Sequence, residues 1–195
     1  MSWNVPDPSL YSIFGSDMNH FCLLSRIETS NTYPFGMTTP ESFFLWQNVA
    51  NNNNIVWKNV SVITMANSVA SVIVGNFSSK RIVSKLTFKL DRMLDLKRNG
   101  VVVELNEKLV EKIKKSKAIL KGLKIEGNYL KIKSANAEIT NLVFEPQELH
   151  TLTLNFKLNK YLFENKKSYN LEVNQFIKIE NKYFPFGGEQ FTITQ

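Results

Sequence analysis

Apolar and polar side chains alternate with a period of two along most of this chain, the mark of strands that bury one face. Ile82, Leu86, Phe88 and Leu90 fall on one side of a predicted strand, and Arg81, Lys85 and Lys89 on the other. His150, Leu152, Leu154, Phe156 and Leu158 oppose Thr151, Thr153, Asn155 and Lys157. Tyr169, Leu171, Val173, Gln175, Ile177 and Ile179 repeat the pattern, and Leu130 and Ile132 alternate with Lys131 and Lys133. Residues 55–63 divide into Ile55, Trp57, Asn59, Ser61 and Ile63 against a more apolar set, Val56, Val60 and Val62 with Lys58. Further strands are expected in SVASVIVGN, in AEITNLVF and after Gly187-Gly188. Phe21-Cys22-Leu23-Leu24, inside 20–27, is too continuous for a one-faced strand and predicts a central strand or one that crosses between faces.

One segment changes period. Leu109, Val110 and Ile113 recur at helical spacing behind Asn106, a residue that caps helix starts by accepting a backbone N–H. Glu107 suits the first turn, Glu111 and Lys115 stand four apart, and Lys112, Lys114, Lys115 and Lys117 complement the negative end of the helix dipole. The predicted helix covers about 106–120, with Gly122 as its stop. Its apolar stripe is narrow, so it should cap a sheet and not join a bundle. Many short strands, one helix and no strand–helix–strand rhythm predict a mainly β protein, a β-sandwich with one inserted surface helix.

Two stretches lack periodicity. Pro6 and Pro8 exclude a regular helix from residues 1–17, where Gly15 marks a turn. Residues 28–54 hold Pro34, Gly36, Pro40 and four consecutive asparagines, Asn51 to Asn54, and predict a long ordered loop with a short helical turn in SFFLWQNVA.

Composition adds a charge asymmetry. The 195 residues carry 24 Lys+Arg against 17 Asp+Glu, a net charge of +7, and 14 Phe, 6 Tyr and 3 Trp favour ordered sheet over disorder. Residues 1–79 contribute two basic and four acidic side chains; residues 80–195 contribute 22 and 13. Lys112, Lys114, Lys115, Lys117 and Lys121 form a candidate basic surface. Its ordinary role is solvation. Few arginines and no interleaved aromatics disfavour nucleic-acid base reading, although salt-sensitive phosphate attraction stays open.

Catalytic chemistry finds little support. Two histidines and one cysteine do not supply a tetrahedral zinc site, and no GxSxG, HExxH or glycine-rich phosphate loop is present. We expect no catalytic, metal or cofactor-binding residues and no enzyme activity. His150 shares the inward register of its strand and reads as a core or edge histidine. Cys22 has no partner for an intrachain disulfide and, inside HFCLL, reads as a small buried hydrophobe. Asp91 and Asp95 read as part of a solvated charge cluster with Arg92, Lys97 and Arg98. Asn59-Val60-Ser61 and Asn76-Phe77-Ser78 match the glycosylation pattern. No apolar run reaches the roughly 18 residues of a membrane helix, and the polar MSWNVPDPSL start does not resemble a leader.

The best candidate contacts lie in the loop. Tyr33, Phe43, Phe44 and Trp46, with Asn53, form a candidate glycan or partner surface. The alternative is an aromatic lid over the end of the sandwich, with the asparagines satisfying turn backbone.

HFCLLSRIETS followed by NNNNIVWKNVSVI resembles segments of bacterial immunoglobulin-like, adhesion-related β-sandwich modules of large multidomain proteins. His20, Cys22, Leu23, Leu24, Arg26 and Ile27 match the first part, and Asn53, Asn54, Ile55, Asn59 and Val60 the second. Pro146 and Glu148 match a later turn-and-strand pattern in LVFEPQELHTLTLNF. The resemblance implies an immunoglobulin-like sandwich in a noncatalytic spacer, adhesion or assembly role, and transfers no active site. In such modules the CLLxRI strand lies late, whereas here 19 residues precede it. The implied division is a unit at 1–68, truncated or completed by another chain, and a sandwich at 69–195; one continuous sandwich is the rival. The expected function is protein–protein assembly within a larger bacterial surface, secreted or particle complex, through a partner or a second copy. A carbohydrate-binding module using the 28–54 loop is the alternative.

Overall fold

The computed structural model describes residues 9–10, 12–13, 19–41, 48–49, 51–52, 54–91, 100–158 and 168–194. Twelve strands and one helix of the described residues follow in order: β1 (His20–Arg26), β2 (Ile55–Ile63), β3 (Val69–Gly75), β4 (Ile82–Leu90), β5 (Val101–Leu105), α1 (Glu107–Lys115), β6 (Ile119–Lys121), β7 (Leu123–Glu126), β8 (Tyr129–Ile132), β9 (Asn136–Phe144), β10 (Leu149–Phe156), β11 (Ser168–Ile179) and β12 (Lys182–Thr194). They form two sheets, a seven-stranded one in the order β1-β2-β12-β11-β4-β9-β6 and a five-stranded one in the order β3-β10-β5-β8-β7. The protein is a mainly β, two-sheet sandwich.

The alternation read from the sequence sets which residues meet between the sheets. Leu86, Phe88 and Leu90 of β4, Ile139, Leu142 and Phe144 of β9, and Leu171 and Val173 of β11 are buried from the large sheet. Val103 and Leu105 of β5, Leu130 and Ile132 of β8, and Leu152, Leu154 and Phe156 of β10 meet them from the small one. Each such fully buried side chain contributes about 1.5–3 kcal/mol relative to exposure. Pairing is antiparallel except between β2 and β12, which run parallel from Asn59 opposite Glu189 to Ile63 opposite Ile193. Through that pairing β1 and β2 extend the same sheet as β11 and β12. The connection at 64–68, where a boundary is expected, is where the chain passes from the large sheet to the small one.

Helix α1 begins as expected, with the Asn106 side chain accepting from the Leu109 N–H at 2.9 Å, and it buries Leu109, Val110 and Ile113. It ends earlier than expected. Ser116 is extended and donates its N–H to the Lys112 carbonyl at 2.8 Å, so the helix stops at Lys115 and not near residue 120. Residues 119–121 instead pair as β6 along β9, and Gly122, with a φ of 65°, turns the chain into β7. Edge pairing along β9 overrides a lysine-rich run of good helix propensity.

β1 also departs from expectation. Among the described residues it pairs on one side only, with β2, and is an edge strand. Its continuous apolar run does not mark a central position: Leu24 is 45% exposed.

Candidate docking surface

Gly75 closes β3, and its backbone N–H donates to Gln175 Oε1 at 2.9 Å while its carbonyl accepts from Gln175 Nε2 at 2.6 Å. A side-chain amide from β11 of the opposite sheet therefore occupies both backbone groups of the last edge residue, as a neighbouring strand would. Gln175 Nε2 also donates to Ser84 Oγ at 3.0 Å, and both Gln175 and Ser84 are buried.

This contact fixes the orientation of the rest of the edge. In an antiparallel pair, alternate residues turn their backbone polar groups toward and away from the partner strand. The Asn76 N–H donates to the Glu148 carbonyl at 2.8 Å and the Phe156 N–H to the Ser68 carbonyl at 2.9 Å, so even-numbered residues face β10. Gly75 faces away, and by the same alternation so do Ile73, Ser71 and Val69. Gln175 takes up the groups of Gly75 alone.

An apolar groove of about 740 Å³ runs beside this edge, lined by Val72, Val74 and Phe77 on one side and by Val173, Phe186 and Gly187 on the other. Ile73 is 58% exposed and Phe77 61%. Residues 59–79 contain no charged side chain, in a chain that is 21% charged. Edge strands are ordinarily protected by lysine, proline or a bulge; β3 has none of these. Backbone groups that no strand among the described residues pairs, an apolar trough and no charge together can accept an extended segment as an added strand.

Position 75 admits only glycine. Its φ is 148°, and an added Cβ would come within 2.2 Å of the Glu148 carbonyl oxygen. The next residue, Asn76, is fully buried and ties the β3–β4 turn to the β9–β10 turn. Its Nδ2 donates to the carbonyls of Lys80 at 2.7 Å and Glu145 at 2.9 Å, and its Oδ1 accepts from the N–H and hydroxyl of Ser78. This committed amide leaves the 76–78 glycosylation pattern no accessible acceptor in the folded chain.

The loop expected to carry contacts is partly described. Phe43, Phe44, Trp46 and Asn53 lie outside the described residues. Tyr33 is 63% exposed and meets Phe35 edge-on at 5.9 Å between ring centroids. Arg26 braces the loop, at 2.8 Å from Glu41, bonded to Glu28 and lying 5.4 Å from the centre of the Phe35 ring. Asn52 bonds the Thr39 N–H and the Asn48 carbonyl, and Asn54 donates to the Ile27 carbonyl, so these two asparagines hold turn backbone.

Of the lysines of the predicted basic surface, Lys112, Lys115 and Lys117 line one groove, and Lys114 and Lys121 do not. Lys112 pairs with Glu148 at 3.0 Å and Lys115 with Glu111 at 2.8 Å on α1, while Lys121 lies on β6, 3.9 Å from Glu138. Lys114 and Lys117 are at the end of the helix and just beyond it. Glu148 shows the local balance: burial pushes its carboxyl up, but the Glu145 N–H, His150 and Lys112 together hold it below the ordinary range. His150 is buried, with Nδ1 3.0 Å from Asn106 Oδ1 and Nε2 2.8 Å from Glu148 Oε1. Asp91 accepts from the N–H and side-chain amide of Asn170, and Asp95 lies outside the described residues.

One cluster was not visible in the sequence. Glu189, buried on β12, accepts from the Ser61 hydroxyl of β2, and His20 Nδ1 of β1 lies 3.3 Å from each of those side chains' oxygens. Cys22 Sγ stands 3.6 Å from His20 Nε2 and donates to Asn59 Oδ1 at 3.4 Å. The cluster clasps three strands across the parallel seam. Cys22 is exposed and not the buried hydrophobe its neighbours suggested, because β1 is an edge strand. Among the described residues no group of three or more His, Cys, Asp and Glu side chains could hold a metal ion, and no helix is long and apolar enough to cross a membrane.

No family model matches the chain, and no curated protein matches it. Among solved structures it is similar to the collagen-binding subdomain of the Enterococcus faecalis surface protein ACE. That similarity covers 69% of this chain and 94% of the other, at 6% identity and a TM-score of 0.32.

Proposed function

We propose that this chain is a noncatalytic assembly module that receives an uncharged, alternately apolar strand of a protein partner along β3. The observation that carries the reading is the conjunction at β3: outward backbone groups at Ser71 and Ile73, the apolar groove beside them, and a charge-free run from 59 to 79. A charged partner segment would lose hydration there without gaining a counter-charge. A strand with valine-like side chains facing the groove would gain ladder hydrogen bonds and apolar burial together. The setting we propose is a larger bacterial surface or particle complex, the kind of protein in which the resembling segments occur.

The test is calorimetric titration with a short capped peptide alternating valine and threonine. Wild type should bind it with little dependence on salt, and Ile73→Pro, which removes one outward N–H and leaves the β10 ladder in place, should abolish binding. Equal binding by both proteins, or none by wild type, would overturn the reading. A mass that rises with concentration in light scattering, and falls with Ile73→Pro, would make the partner a second copy.

A further inference from the structure

A second groove, of about 820 Å³, lies between α1 and the outer face of the large sheet and shares no lining residue with the groove at β3. Val83 of β4 and Val143 of β9, opposite one another in the ladder, contribute apolar surface. Lysines and one arginine surround it: Lys108, Lys112 and Lys115 from α1, Lys117 just beyond it, Lys178 from β11, and Arg81 before β4.

Three of these cations are balanced within the chain. Lys115 pairs with Glu111, Lys112 with Glu148, and Arg81 with Glu145 at 3.2 Å. Lys108, Lys117 and Lys178 have no acidic partner within 4.0 Å among the described residues and carry the excess positive charge of the groove. The C-terminal end of the helix, nearest Lys115, is its negative pole and offsets a little of this positive field.

From this charge pattern we infer that the groove binds an acidic peptide segment, one that brings carboxylates to Lys108, Lys117 and Lys178 and apolar side chains to Val83 and Val143. Charge complementarity selects an anion, and the lining selects a peptide over a nucleic acid. Glu111 and Glu145 would stand against an evenly charged phosphate backbone, no aromatic ring is among the described lining residues to stack a base, and the cations without an acidic partner there are all lysines, without the planar fork that grips phosphate. A peptide can place its carboxylates where the lysines are and leave the Glu111 and Glu145 positions uncharged.

Fluorescence anisotropy with a short fluorescein-labelled peptide of glutamates separated by valines tests this, beside a lysine–valine peptide and a short oligothymidine. The acidic peptide should bind saturably at low ionic strength and weaken as salt rises. The double variant Lys108→Glu/Lys178→Glu should weaken it roughly tenfold or more, while Lys89→Glu, a charge reversal elsewhere, should change it less than about twofold. Both variants should keep the circular dichroism of wild type. Absent binding at low salt would overturn the inference. So would binding that survives the double variant, and so would tighter binding of the oligothymidine lost in the same variant, which would assign the groove to nucleic acid.

Discussion

Replacing Gln175 tests whether a side-chain amide closes the end of the β3 edge. Gln175→Met keeps the length and bulk of the side chain but can bond neither Gly75 group nor the Ser84 hydroxyl, which are now held at 2.9, 2.6 and 3.0 Å. A buried polar group left without a partner costs about 1–3 kcal/mol. Because Gln175 borders the groove, water can reach part of the vacated site and offset some of this. The expected loss is therefore about 2–4 kcal/mol, below the sum for three orphaned groups. Urea denaturation at pH 7 would read it as a lower midpoint with unchanged slope. Gln175→Glu separates pairing from packing. Its carboxylate can accept from the Gly75 N–H but presents no hydrogen to the Gly75 carbonyl, so it should also destabilise at pH 7. Protonation restores a donor, so its deficit relative to wild type should narrow as pH falls. If both variants lost less than about 1 kcal/mol, the amide would not be closing the edge.

Asn76→Ala removes buried bonds between two turns and should cost about 2–4 kcal/mol in the same assay. Asn106→Ala loses the cap of α1 and a partner of His150, and should cost about 1–2 kcal/mol. Glu148 is held below its ordinary value in the folded state, so its contribution is present above the unfolded carboxyl value and is lost as pH falls through the folded one; Glu148→Gln should flatten the acid limb of the stability curve. Glu126 sits between Lys124 and Lys131, whose hydrogen bonds hold its carboxyl at about 2, and an NMR titration should show it rising toward the usual range in Lys124→Ala. Cys22 is exposed, so the native chain should react with a thiol reagent such as dithionitrobenzoate without denaturant.

Strand periodicity was legible because burial between two sheets imposes it directly. The inward sets on β4 and β10, and most of that on β11, are the ones the alternation picks out, and Asn106 caps the helix its side chain suits. What the sequence did not reveal depends on the neighbours of each element. HFCLL reads as a central strand or one that crosses between faces, yet among the described residues the strand lies at an edge, and nothing local tells one side of pairing from two. The stretch Lys117-Ala118-Ile119-Leu120-Lys121 after the helix favours helix, yet β9 offers an edge and takes residues 119–121. Ser61 and Glu189 are 128 positions apart and meet only because β2 and β12 run parallel. The Gln175–Gly75 contact spans 100 positions, and Gln175 appeared in the sequence only as a polar interruption of an apolar face. That interruption was the one local sign of the site, since a buried amide in a strand needs partners.

Residue-resolved hydrogen–deuterium exchange at β3 tests the docking edge most directly. In the free chain the amides of Ser71 and Ile73 should exchange as surface groups, while those of Val72 and Val74, which face β10, are protected. Adding the valine–threonine peptide should slow Ser71 and Ile73 and leave the open edge at β7 unchanged. Protection of Ser71 and Ile73 already in the free monomer, or exchange there that the bound peptide does not alter, would contradict the assignment of β3 as the edge that receives a partner strand.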